Sequence, residues 1–152
     1  MRIIGEGFRF EDFTPGDEFR TVARTITETD LVNFITCVGM LEALFIDAEY
    51  RASKAATSGR LVPAALVYAM AEGLVLNATA QATGLAFLHT ELNVLKPTVA
   101  GDTIHVEVEV ISAEPASRSG RGKVRTMNRV VNQRGEVVIE YNPLRLVAGR
   151  GA

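Results

Sequence analysis

The chain has one cysteine, no tryptophan, two histidines and five prolines. A lone thiol, Cys37, closes no internal disulfide, so the fold rests on burial, and a reducing, cytoplasmic compartment is the reading. Cys37 is expected to be a buried structural thiol among Ile35, Val38 and Leu41. The histidines, His89 and His105, show neither the paired spacing nor the His/Cys spacing that holds a metal ion, so no metal is expected. Charge of one sign is also lacking: 16 Lys and Arg stand against 18 Asp and Glu. That balance gives no bulk attraction to nucleic acid or to an anionic membrane. The longest apolar stretch, Leu61 to Leu76, is interrupted by Pro63, Glu72 and Gly73 and is too short to span a bilayer. Met1 to Phe10 has no apolar h-region, so no signal peptide is expected.

What remains is an ordinary globular composition, 47% hydrophobic and 22% charged over 152 residues, enough for one domain with its own core. Neither repeat nor linker divides it. The expectation is one domain over 1–152, with a core at about 10–148 and a frayed tail at 149–152.

Pro15-Gly16 predicts a turn, and Phe19 to Ile26 a strand. Thr27 and Asp30 form a helix start, with the helix running from Glu28 to Val38 and stopping at Gly39. A short helical turn is expected within Tyr50 to Ala56. Pro63 then opens a long helix, apolar nearly all round, ending between Ala80 and Thr83. Gly73 inside it is read as permitting close packing of a strand or of an acyl chain. Leu85 to Leu95 is strand-like. Ile104, Val106, Val108 and Val110 alternate with His105, Glu107 and Glu109, a half-buried strand. Gly122 to Asn132 and Val137 to Val147 complete the strands. An antiparallel sheet wrapped around one long apolar helix satisfies this order, an α+β fold.

This arrangement resembles the hot-dog fold in its MaoC-like dehydratase branch. The likeness rests on Phe13-Thr-Pro-Gly-Asp17, on Arg60-Leu-Val-Pro-Ala-Ala-Leu66 at the opening of the long helix, and on Leu95-Lys-Pro-Thr-Val-Ala-Gly-Asp-Thr-Ile104. In that family the (R)-specific enoyl-CoA hydratases carry Gly-Asp-x-Asn-Pro-x-His before the long helix. The Asp and His activate the water that adds to the enoyl thioester, and a backbone N–H at the helix start polarises the carbonyl. Here the stretch reads Gly39-Met-Leu-Glu-Ala-Leu-Phe45-Ile-Asp47. The family's Asp falls on Met40 and its His on Phe45, and neither side chain can carry a proton. Its helix-start Gly falls on Ala64, which keeps its N–H.

The resemblance therefore implies an acyl-CoA or acyl-carrier thioester as ligand, with no other cofactor. Substrate contacts are expected from the Ala64 and Ala65 N–H groups, Val62, Pro63, Tyr68 and His89. Glu42 and Asp47 are the carboxylates that could replace the lost base, although exposed loop positions are the simpler reading. His105 reads as a surface residue. Arg121, Lys123 and Arg125 share a strand face with Arg129. They could dock the carrier's phosphates, or pair across strands with Glu107 and Glu109. Three functions follow: an acyl-CoA binder or non-catalytic half of a heteromeric dehydratase, an active hydratase or thioesterase with a displaced carboxylate, or a structural or regulatory module. Under each, free sheet edges predict a homodimer or higher homo-oligomer, or a heteromer with a dyad-bearing homologue.

Overall fold

The structure is a computed structural model, and it describes residues 1, 3–118 and 120–151. Among the described residues there are four α-helices, α1 (Glu28–Val38), α2 (Ala43–Ile46), α3 (Ala48–Lys54) and α4 (Ala64–Thr79), and a short 3-10 helix at Phe10–Asp12. The strands are β1 (Glu18–Arg20), β2 (Arg24–Thr25), β3 (Gly84–His89), β4 (Leu92–Val94), β5 (Thr103–Pro115), β6 (Arg121–Val131), β7 (Val137–Tyr141) and β8 (Leu144–Ala148).

All strand pairings are antiparallel. β1 and β2 lie along β5, β5 along β6, and β7 and β8 end to end along β6; β4 and β3 follow as the outer row. The predicted Val137–Val147 strand is thus two. Pro143 offers no N–H to a ladder. The Asn142 side chain instead accepts the Glu91 N–H at 2.7 Å, so the outer row breaks at the same level. That is why Leu85–Leu95 also divides, with β3 on β8 and β4 on β7. Phe19–Ile26 divides likewise into β1 and β2.

α1 has the predicted ends. Thr27 Oγ1 accepts the Asp30 N–H at 3.1 Å, Asp30 accepts the Thr27 N–H at 2.9 Å, and Gly39 takes φ 70°. The Thr27 N–H bond, against the opposing effect of burial, holds the Asp30 carboxyl below its ordinary value, with the Thr27 hydroxyl and then Arg24 assisting. Leu31 and Ile35, four apart, are buried, as one face of an amphipathic helix requires. Cys37 lies off that face and is exposed, contrary to the buried thiol expected.

α4 packs Leu66, Val67, Met70, Ala71 and Val75 against the sheet, where Ile104, Val106 and Val108 present the predicted alternation. The sheet does not cover the helix all round. Ala65, Ala69 and Leu76 are exposed, and a Cβ at Gly73 would meet nothing within 4 Å. Among the described residues no helix is long and apolar enough to cross a membrane. At the start of the tail, Gly149 N–H reaches the Gly120 carbonyl at 2.7 Å and Arg150 N–H the Glu11 carboxylate at 3.1 Å; Ala152 lies outside the described residues.

Candidate functional site

The loop before α4 is stitched to the turn at 97–101. The Val62 N–H donates to the Thr98 carbonyl and the Ala100 N–H to the Arg60 carbonyl, both at 2.9 Å. This fixes where α4 starts. Leu66 and Val67 donate their N–H groups to the Pro63 carbonyl. Ala64 and Ala65 precede any carbonyl four residues back within the helix, so their N–H groups face outward from its positive end.

A cavity of about 400 Å³ opens at this start. Phe45, Val62, Pro63, Ala64 and Val67 wall one side and Val94, Leu95 and Ile139 the other, with Lys96 the one charged lining residue among the described residues. Phe45 is 7% exposed, and Met40 packs half-buried on the same core. The Phe45 carbonyl accepts from the guanidinium groups of Arg60 and, at 3.2 Å, Arg51. Arg60 also grips Glu28 on α1 at 2.9 Å. Two cations thus hold the segment that carries Met40 and Phe45 against α1 and the helix start.

Glu42 and Asp47 stand outside this cavity, both exposed. Asp47 caps α3 by accepting the Tyr50 N–H at 2.9 Å. Lys96 pairs with Glu136, which also accepts from Arg134 at 2.7 Å. Lys96 first, then Arg134 and Asn132, hold the Glu136 carboxyl down at about 2. Beside it, burial raises Asp102, but bonds from Gln133, the Val99 N–H and Arg134 outweigh that and leave it low.

The structure brings together Phe45, Val62, Pro63 and Ala64. Ala65 is exposed on the uncovered side of α4, and His89 is exposed on β3. Arg121, Lys123 and Arg125 lie on the β6 face opposite the inward Gly122, Val124 and Thr126, so they point away from α4. On that face Arg125 donates to the Asn142 carbonyl at 2.7 Å, and Arg129 meets Glu109 across strands at 3.4 Å. His105 is half-buried there, 3.2 Å from Glu107.

A second cavity, about 410 Å³, lies between the C-terminal half of α4 and β3. Its floor holds a polar cluster that sequence reasoning missed. Glu72 accepts from Arg145 and, at 2.8 Å, from the Tyr141 hydroxyl, and Arg145 lies 5.2 Å over the Phe87 ring. Burial, and then the Glu72 charge, push the Tyr141 phenol far up, so it stays a hydrogen donor. The signal was available: Glu72 is the one charge in α4, and a charge inside an apolar helix requires a partner.

One antiparallel sheet laid against a single apolar helix, with a cavity where that helix begins, defines a hot-dog protein. Residues 14–141 match the model described as FAS1-like, dehydratase domain region, and the chain belongs to that family of hydratases and dehydratases. Protein MaoC of Klebsiella aerogenes is 30% identical over 99 residues, 65% of this chain and 29% of its own length. The chain thus spans under a third of that relative. The MaoC-like dehydratase from Rhodospirillum rubrum is 26% identical with a TM-score of 0.80, over 95% of this chain and 99% of that one. A double-hot-dog protein from Mycobacterium tuberculosis shares the fold (TM-score 0.84, 20% identity, 94% of this chain and 44% of that one).

Proposed function

We propose that the chain is a MaoC-like acyl-thioester protein that binds an acyl-CoA or acyl-carrier thioester at the start of α4 and has lost the Asp/His dyad. It serves as a binding protein or as the non-catalytic subunit of a dehydratase, working as one domain in the cytoplasm. One observation carries this reading. The cavity at the helix start is lined by apolar side chains, Thr57, Thr98 and Lys96, with no carboxylate or imidazole lining it among the described residues. The ligand's thioester carbonyl would meet the Ala64 N–H, and Phe45 would replace the general acid–base group with a wall. A displaced-carboxylate enzyme would have to reach Glu42 or Asp47, which stand exposed beyond it.

The partner in this reading docks along β3 and β4. That edge exposes Leu85, Phe87, Leu88, Val94 and Leu95, and an exposed apolar edge strand is a template for pairing. Residues of the same edge line both cavities. The occupant is a second copy, or a homologue bearing the dyad; the double-hot-dog neighbour, of which this chain matches under half, carries two such units in one chain. Calorimetric titration with butenoyl-CoA tests the reading. Saturable binding is expected, and co-expression with a dyad-bearing homologue should yield a mixed complex. Failure to bind any acyl-CoA would overturn it.

A further inference from the structure

Ala64, Tyr68, Glu72 and Leu76 follow at intervals of four and so form one ridge along α4, each about 6 Å from the next. Ala64 lines the helix-start cavity, and Glu72 and Leu76 line the second one. Tyr68, between them, lines neither. The facing sheet repeats the pattern. Ile139 lines the first cavity and Arg145 the second, while Tyr141 between them lines neither. The two tyrosines meet edge to face, with ring centroids 5.1 Å apart and planes at 90°. Behind them, Tyr141 and Arg145 converge on Glu72.

We propose that the two cavities are the ends of one channel along α4, that the Tyr68–Tyr141 pair closes it, and that this plug restricts the helix-start cavity to short acyl chains. The inference rests on the acyl-thioester reading and names its substrate class. A chain reaching past Ala64 runs into the Tyr68 ring within one helical turn. Going further would break an aromatic contact and press methylenes against an ion pair whose side chains are only 13% and 15% exposed, stripping that pair of water. The phenol of Tyr68 is itself raised by burial and then by the Glu72 charge, so the plug remains neutral.

The test is a titration of the full chain with butenoyl-CoA and dodecenoyl-CoA, using wild type, Tyr68→Ala and Tyr68→Phe. Decanol, which carries neither thioester nor nucleotide, is titrated in parallel. Wild type should favour the short thioester. Tyr68→Ala should shift the ratio of the two dissociation constants at least about tenfold toward the long chain, the worth of two further buried methylenes. Tyr68→Phe, which keeps the ring, should retain the wild-type ratio. Equal affinity of wild type for both thioesters, or an unshifted ratio in Tyr68→Ala, would overturn the proposal. If no thioester binds any variant, the acyl-thioester reading fails. Decanol binding confined to Tyr68→Ala would then still uphold the plug, and equal decanol binding to all three would sink it. Should Tyr68→Ala not fold, Tyr68→Leu shortens the plug while keeping apolar volume, and the same outcomes apply.

Discussion

Replacing Glu72 with leucine leaves Arg145 as a cation without its partner in a site where both side chains are close to 85% covered, at 13% and 15% exposure. Breaking a buried pair by removing one member costs about 3–5 kcal/mol, because the remaining charge stays desolvated. The Tyr141 hydroxyl, on a side chain 1% exposed, also loses its acceptor. In a protein of 152 residues each kcal/mol moves the melting temperature by about 2–4 °C, so the expected drop is roughly 6–20 °C. Removing both charges together, as Glu72→Leu with Arg145→Met, exchanges the pair for apolar volume and should recover most of the loss. Thermal unfolding followed by circular dichroism, on wild type, both single variants and the double, closes a mutant cycle. A drop under about 1 kcal/mol in each single variant, or a double variant that loses the full sum, would refute the claim that these two groups act as one buried unit.

Two further predictions follow from local geometry. A Cβ at Gly122 would stand 1.9 Å from Phe10 Cδ2, so Gly122→Ala should cost about 1–3 kcal/mol in chemical denaturation, and adding Phe10→Ala should relieve the clash. The second concerns pH. Glu136 titrates at about 2 when folded against an ordinary 4.5. A carboxyl depressed by folding adds stability that is whole above the ordinary value and is lost as pH falls through the folded one. Melting temperature should therefore decline between about pH 4.5 and 2, and less steeply in Glu136→Gln. Parallel declines in the two proteins would contradict the assignment.

How much was legible in the sequence depended on how local each cause is. Thr27, Asp30 and Gly39 mark both ends of α1 because a cap acts within one turn. Ile104 to Val110 betray β5 by alternation alone. The breaks at 90–91 and 142–143 were not visible, since Asn142 answers Glu91 only once the two rows lie side by side. The same holds for the second cavity. Glu72 finds Arg145 across 73 residues, a register that no short window reveals. The helix-start cavity was reached through the family motif: Phe45, Val62, Pro63 and Ala64 meet there. Arg121, Lys123 and Arg125 were grouped correctly on one strand face, but period alone does not say which face meets the helix.

The central claim is that a thioester binds here without the dyad that would turn it over. The most direct measurement is incubation of the purified protein with a panel of trans-2-enoyl-CoA thioesters, following the double bond and the release of free thiol in one sample. If, as proposed, Phe45 stands where the imidazole would be, and with no carboxylate lining the cavity among the described residues, both signals should stay flat while the thioester binds. Loss of the double bond, or appearance of thiol, would contradict that claim and return the search to a displaced carboxylate.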